Sequence, residues 1–148
     1  MAVNSVRINA SRSQVFAVLA NGWMYSNWVV GTSHMRAVEA DWPAVDSRLF
    51  HASGIWPLVA RDETQVEAME MDRRLELTAR GRPLGEAKVV IELVDDDPGC
   101  LVTMDEAPVA GPGRWLHNSV TEAALSRRNV ESLARLGVIA ERPTPPRD

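Results

Sequence analysis

Little in this chain can carry metal or covalent chemistry. Cys100 is the single cysteine and Lys88 the single lysine among 148 residues. One cysteine excludes an internal disulfide and any cysteine-based zinc site, and it suits a reducing compartment, so the expected location is cytoplasmic. The three histidines, His34, His51 and His117, show neither HxxxH nor HxH spacing. No metal site and no cofactor are therefore expected. GxGxxG, P-loop and nucleophile-elbow patterns are missing too, which removes the usual dinucleotide, nucleotide and serine-hydrolase readings. A net charge of −4 argues against a nucleic-acid partner. No basic segment followed by an apolar run opens the chain, so no secretion signal is read. Residues 13–35 carry no Asp, Glu, Lys or Arg, but Gln14, Asn21, Gly22, Ser26, Asn27, Gly31 and Thr32 interrupt them. A spanning helix needs about 20 predominantly apolar residues, so no membrane span is expected.

What is present is enough for a folded domain. Apolar residues make up 45% of the chain, which suits one core in one domain, read as residues 1–141 with a flexible tail at 142–148. Residues 3–9 alternate in polarity and read as a short half-buried strand. Ser11-Arg12-Ser13-Gln14 matches a capping box ahead of a helix bearing Val15, Phe16, Val18 and Leu19, which Asn21-Gly22 stops. A second short helix fits 23–28. The period then becomes two, with strands expected at 33–40, 48–53, 59–71, 74–79, 85–93 and 101–107. Turns are expected at Asp46-Ser47, Asp72-Arg73, Arg82-Pro83 and Asp95 to Gly99. Six successive strands with short connections imply an antiparallel meander. A last helix is expected from about 114 to 137. Leu116, Val120, Ala123, Arg127, Val130, Ala134 and Gly137 recur at helical spacing on its apolar face, with Leu125, Leu133 and Leu136 broadening it.

Several local patterns carry a family resemblance. They are Trp42-Pro43, Gly54-Ile55-Trp56-Pro57, Asp62-Glu63-Thr64, Glu106-Ala107-Pro108, Gly111-Pro112 and Arg128-Asn129. Set in this order of elements, they resemble the polyketide cyclase/dehydrase branch of the Bet v 1-like (START-like, SRPBCC) superfamily, over nearly the whole chain. The resemblance implies an α+β helix-grip fold: a seven-stranded antiparallel curved sheet wrapped around a long C-terminal helix, with two short helices between strands 1 and 2. It also implies an apolar cavity between sheet and helix for a lipid-like or polyketide-like small molecule.

Strand parity sorts the side chains. Leu49, His51 and Ser53 should point inward, as should Asp62, Thr64, Val66 and Ala68; Leu75, Leu77 and Ala79; Ala87, Val89, Ile91 and Leu93; and Val102, Met104 and Glu106. Leu77, Val89, Ile91, Val102 and Met104 are expected to line the cavity, with Val120 on the last helix and Trp28 and Trp115 at element ends. Trp42 and Trp56, each before a proline, are assigned to plugging corners. Arg127, Arg128 and Arg135 are assigned to surface pairs with Glu122, Glu131 and Glu141, with contact to a ligand carboxylate as the alternative. His51, Asp62 and Glu106 are ionisable groups of inward parity. A buried charge is costly unless paired, so these three are the candidate acid–base residues, with strand-end hydrogen bonding as the structural alternative. Three functions remain open: binding of a hydrophobic small molecule, cyclase or dehydratase catalysis by His51 with Asp62 or Glu106, and a protein-interaction module. Either a monomer or a homodimer is compatible with each.

Overall fold

The computed structural model describes residues 2–55, 58–81, 85–111 and 119–142. In chain order the elements are β1 (Ala2–Ile8), α1 (Arg12–Ala20), a single 3₁₀ turn (Gly22–Met24), α2 (Tyr25–Trp28), β2 (Thr32–Val38), β3 (Arg48–Ile55), β4 (Leu58–Glu70), β5 (Arg74–Gly81), β6 (Gly85–Asp96), β7 (Gly99–Ala110) and α3 (Ser119–Ala140). The expected helix start near 114, the Arg82-Pro83 turn, Trp56, Trp115 and Leu116 lie outside the described residues.

The capping box at α1 forms as its residues require. Ser11 Oγ accepts the Gln14 N–H at 3.2 Å, and Gln14 Oε1 accepts the Ser11 N–H at 2.8 Å. The strands make one antiparallel sheet in the order β1-β7-β6-β5-β4-β3-β2. β2 to β7 run as a meander, while β1 pairs with β7, so α1 and α2 carry the chain from one sheet edge to the other. The peptide bonds before Pro43 and Pro98 are cis.

From Arg61 to Val66 parity holds on β4, and a bulge follows between Val66 and Ala68. Beyond it Met69 pairs with Leu75 and packs on the core, whereas Ala68 pairs with Glu76 on the outer face. The expected inward position of Ala68 is thus overturned by one extra residue, which flips every later side chain on the strand.

A second correction concerns α3. Its buried residues are Asn129, Ser132, Leu133, Leu136, Gly137 and Ala140, while Val120 and Val130 are exposed by 76% and 54%. Ala123, Arg127 and Ala134 are exposed as well. The buried face is instead the one that carries Leu133 and Leu136, together with two polar residues that have specific partners inside. Asn129 Nδ2 donates to Glu106 Oε2 at 3.0 Å, and Ser132 Oγ accepts the Val30 N–H at 3.1 Å. Leaving a buried polar group unpaired costs about 1–3 kcal/mol, so both bonds are needed for this face to be buried.

Side-chain size falls from one end of the sheet to the other on its inner face. On β5 the inward series runs Leu75, Leu77, Ala79, Gly81, and on the neighbouring rungs of β6 it runs Ile91, Val89, Ala87, Gly85. β7 continues these rungs with Met104, Glu106 and Pro108. The large end is filled by Val15, Phe16 and Leu19 of α1 and by Leu133 and Leu136 of α3, all in one buried cluster with Ile8 and Leu93. At the small end the inner face is set back from α3. That gradient makes a packed core at one end and a recess at the other.

Candidate functional site

The recess has a volume of about 510 Å³. Tyr25, Val29 and Val30 form one wall, the sheet contributes Ala79, Ala87 and Pro108, and Leu125 and Arg128 of α3 face them. His51, Asp62 and Glu106 also line it, and they are only 6%, 8% and 5% exposed. The three ionisable residues that parity turned inward therefore share one pocket.

Two hydrogen-bonded clusters organise its polar wall. In the first, His51 Nε2 and Thr64 Oγ1 are 3.1 Å apart, and the Tyr25 hydroxyl approaches the same Thr64 oxygen at 3.5 Å. The Tyr25 and His51 rings lie 5.3 Å apart at a 31° tilt. Asp62 is the direct cross-strand partner of His51. From β2, Arg36 donates to the carbonyl oxygens of both residues of this rung, Nε to His51 at 3.3 Å and Nη2 to Asp62 at 3.1 Å. Burial lowers the His51 pKa from its ordinary value; Asp62 opposes this, and Arg36 and Arg128 add to it. The imidazole is consequently neutral near pH 7 and can accept a proton or hydrogen bond. Burial pushes the Tyr25 phenol up, so it stays protonated and remains a donor.

The second cluster joins α3 to β7. Glu106 receives Asn129 as above, and Arg128 Nη1 lies 3.4 and 3.5 Å from its two carboxylate oxygens. Arg128 Nε donates to the Val30 carbonyl at 3.0 Å. A buried carboxylate is tolerable with such partners, because each replaces part of the hydration it lost.

The other expected lining residues sit elsewhere. Leu77, Val89, Ile91, Val102 and Met104 are buried in the packed core and do not line the pocket. Space opens where inward side chains are small, and these five are the large ones. Trp28 is 3% exposed and packs edge-on against Tyr25, its ring 5.6 Å away, outside the pocket lining. Val120 points to solvent, and Trp115 is outside the described residues. Conversely, the pocket includes Tyr25, which no sequence pattern singled out, and Arg128, whose partner is the buried Glu106 and not a surface carboxylate. Signals for both existed: Tyr25 is the single tyrosine, and Glu106 and Arg128-Asn129 belong to two resemblance patterns that the fold brings into contact. Among the described residues no group of His, Cys, Asp or Glu is arranged to hold a metal, and no helix is long and apolar enough to cross a membrane.

A curved antiparallel sheet closed over a long C-terminal helix, with a recess between them, defines a helix-grip protein. The family profile described as polyketide cyclase / dehydrase and lipid transport matches residues 2–141, and the chain belongs to that family. No curated protein sequence matches it significantly. Solved structures share the fold at low identity. Protein CV1439 of Chromobacterium violaceum is 12% identical with a TM-score of 0.72, covering 95% of this chain and 97% of that one. Protein MLL2253 of Mesorhizobium loti is 15% identical with a TM-score of 0.70, covering 93% and 94%. BexL, a di-domain ARO/CYC from the BE-7585A biosynthetic pathway, is 14% identical with a TM-score of 0.72. This chain is covered over 96% of its length and matches 50% of BexL.

Proposed function

We propose that the protein binds an amphipathic small molecule, lipid-like or polyketide-like, with its apolar body in the recess and a hydrogen-bonding group against the polar wall. The observation that carries this reading is the size gradient on the inner sheet face. Three successive strands give up side-chain volume at the same end, leaving about 510 Å³. Ligand pockets run from about 300 to 1,000 Å³ and combine apolar walls with a few placed polar groups. Here those groups are the Tyr25 hydroxyl, the neutral His51 ring and the part-exposed Arg128 guanidinium. The family description and the likeness to an ARO/CYC domain support the same class of ligand.

The test uses the fluorescent amphiphile 1-anilinonaphthalene-8-sulfonate with the folded protein, followed by displacement with long-chain fatty alcohols and with aromatic polyketide aglycones. Saturable binding that either class displaces, together with a raised melting temperature, is the expected result. Absence of saturable binding up to millimolar ligand would sink the proposal.

A second reading, cyclase or dehydratase-type catalysis, is favoured by one observation: the buried, neutral His51 lies on the pocket wall opposite Asp62. A neutral imidazole there can take the acidic proton between two ligand carbonyls, and the pocket would hold the chain in the folded conformation that cyclisation needs. His51→Gln separates the readings: ligand affinity within about threefold of wild type with turnover abolished identifies catalysis. Equal turnover in both proteins would exclude His51 as the base.

A further inference from the structure

The outward face of α3 carries a pattern that the pocket does not use. Val120, Ala124, Arg127, Glu131, Ala134 and Val138 follow one another at alternating steps of four and three residues, and all six are exposed. That spacing is the seam of a coiled-coil helix. Read from either end, the seam repeats its apolar positions and exchanges its two opposite charges. A two-fold axis perpendicular to the helix at Asn129 places Val120 opposite Val138, Ala124 opposite Ala134, and Arg127 opposite Glu131. In the single chain Glu131 already accepts Arg135 Nε at 3.1 Å, whereas Arg127 has no carboxylate partner among the described residues.

We propose that this face pairs two copies of the chain, α3 against α3 and antiparallel. Arg127 of each copy then meets Glu131 of the other, so the two-fold axis creates two ion pairs at the centre of the contact. The alanines flanking them let the helix backbones approach closely, and Val120 and Val138 close the apolar contact at each end. A parallel pairing sets Arg127 against Arg127 and Glu131 against Glu131, and like charges disfavour it. The partner is a second copy because the complementarity is internal: each seam residue finds its complement at the mirror position of the same sequence. The seam from Val120 to Val138 is about 27 Å long at 1.5 Å rise per residue. A contact of this length is at the small end of specific interfaces, and the dimer it makes is weak and concentration-dependent. The buried side of α3 and the recess are untouched by it, so the surface stands independently of ligand binding.

Sedimentation equilibrium of the full chain, from about 1 to 300 μM to bracket a micromolar dissociation constant, tests the surface. The expected result is a monomer–dimer equilibrium that Arg127→Glu and Glu131→Arg each weaken at least tenfold. Mixing the two single variants should restore association as a heterodimer, and the double variant Arg127→Glu/Glu131→Arg should self-associate again. Both positions are exposed, so a thermal melt of each variant within about 2 °C of wild type verifies that folding is unchanged. A wild-type chain that stays monomeric across the range, or a dimer that both charge reversals leave intact, overturns the proposal.

Discussion

His51 is held between an aromatic ring, a hydroxyl and a carboxylate, and its protonation state is a property of that enclosure. In the unfolded chain an imidazole takes up a proton at about pH 6.5. In the folded protein burial lowers this value, so the native state binds fewer protons than the unfolded state just below neutrality. The contribution of His51 to stability is therefore complete above about pH 6.5 and is lost as pH falls through the lowered folded value. His51→Gln keeps a neutral hydrogen-bonding side chain beside Thr64 and removes the titration. Thermal melts at pH 7.5 and pH 5 should show a smaller loss of melting temperature for the variant than for wild type. Identical losses would mean that His51 is not protonated differently in the two states.

Among the described glycines, Gly99 at the start of β7 leaves the least room for a side chain. A Cβ on Gly99 would overlap the Ile8 carbonyl oxygen at the end of β1. β1 is anchored to β7 over seven successive rungs from Ala2–Glu106 to Ile8–Cys100, so neither strand can retreat without breaking the ladder. Gly99→Ala should cost about 1–3 kcal/mol, in the range of other overpacking substitutions. Urea denaturation would read this as a lower midpoint at unchanged m value; an unaltered midpoint would show that the turn before β7 shifts freely. α3 illustrates a different rule. Its buried face combines Leu133 and Leu136 with Asn129 and Ser132, which have partners on β7 and after α2. The outward stripe of valines and alanines is what remains after those bonds are made.

For the whole molecule, the pocket is the complement of the core. Filling its wall should remove binding without harming the fold. Ala87→Phe places a ring into the recess from β6, opposite Ala79. We expect the affinity for 1-anilinonaphthalene-8-sulfonate to fall at least about tenfold, equivalent to about 1.4 kcal/mol, with a melting temperature equal to or above wild type. Undiminished affinity in this variant would place the bound amphiphile elsewhere on the surface.

Local chemistry was legible in the residues alone. The Ser11–Gln14 capping box, the period-two strands and the Asp95-to-Gly99 turn each depend on neighbours a few positions apart, and a sequence records those directly. The inward parity of His51, Asp62 and Glu106 was legible for the same reason, because alternation along a strand is a local rule. What only the tertiary structure decided involves partners distant in the chain. Which face of α3 is buried depends on Glu106 and Val30, and the position of Ala68 on a bulge in the pairing with β5. The pocket depends on the register that aligns Ala79 with Ala87 and Ala87 with Pro108. Each strand alone shows a gradual change in side-chain size. Only their antiparallel alignment brings the small ends together, and a cavity exists because three gradients coincide.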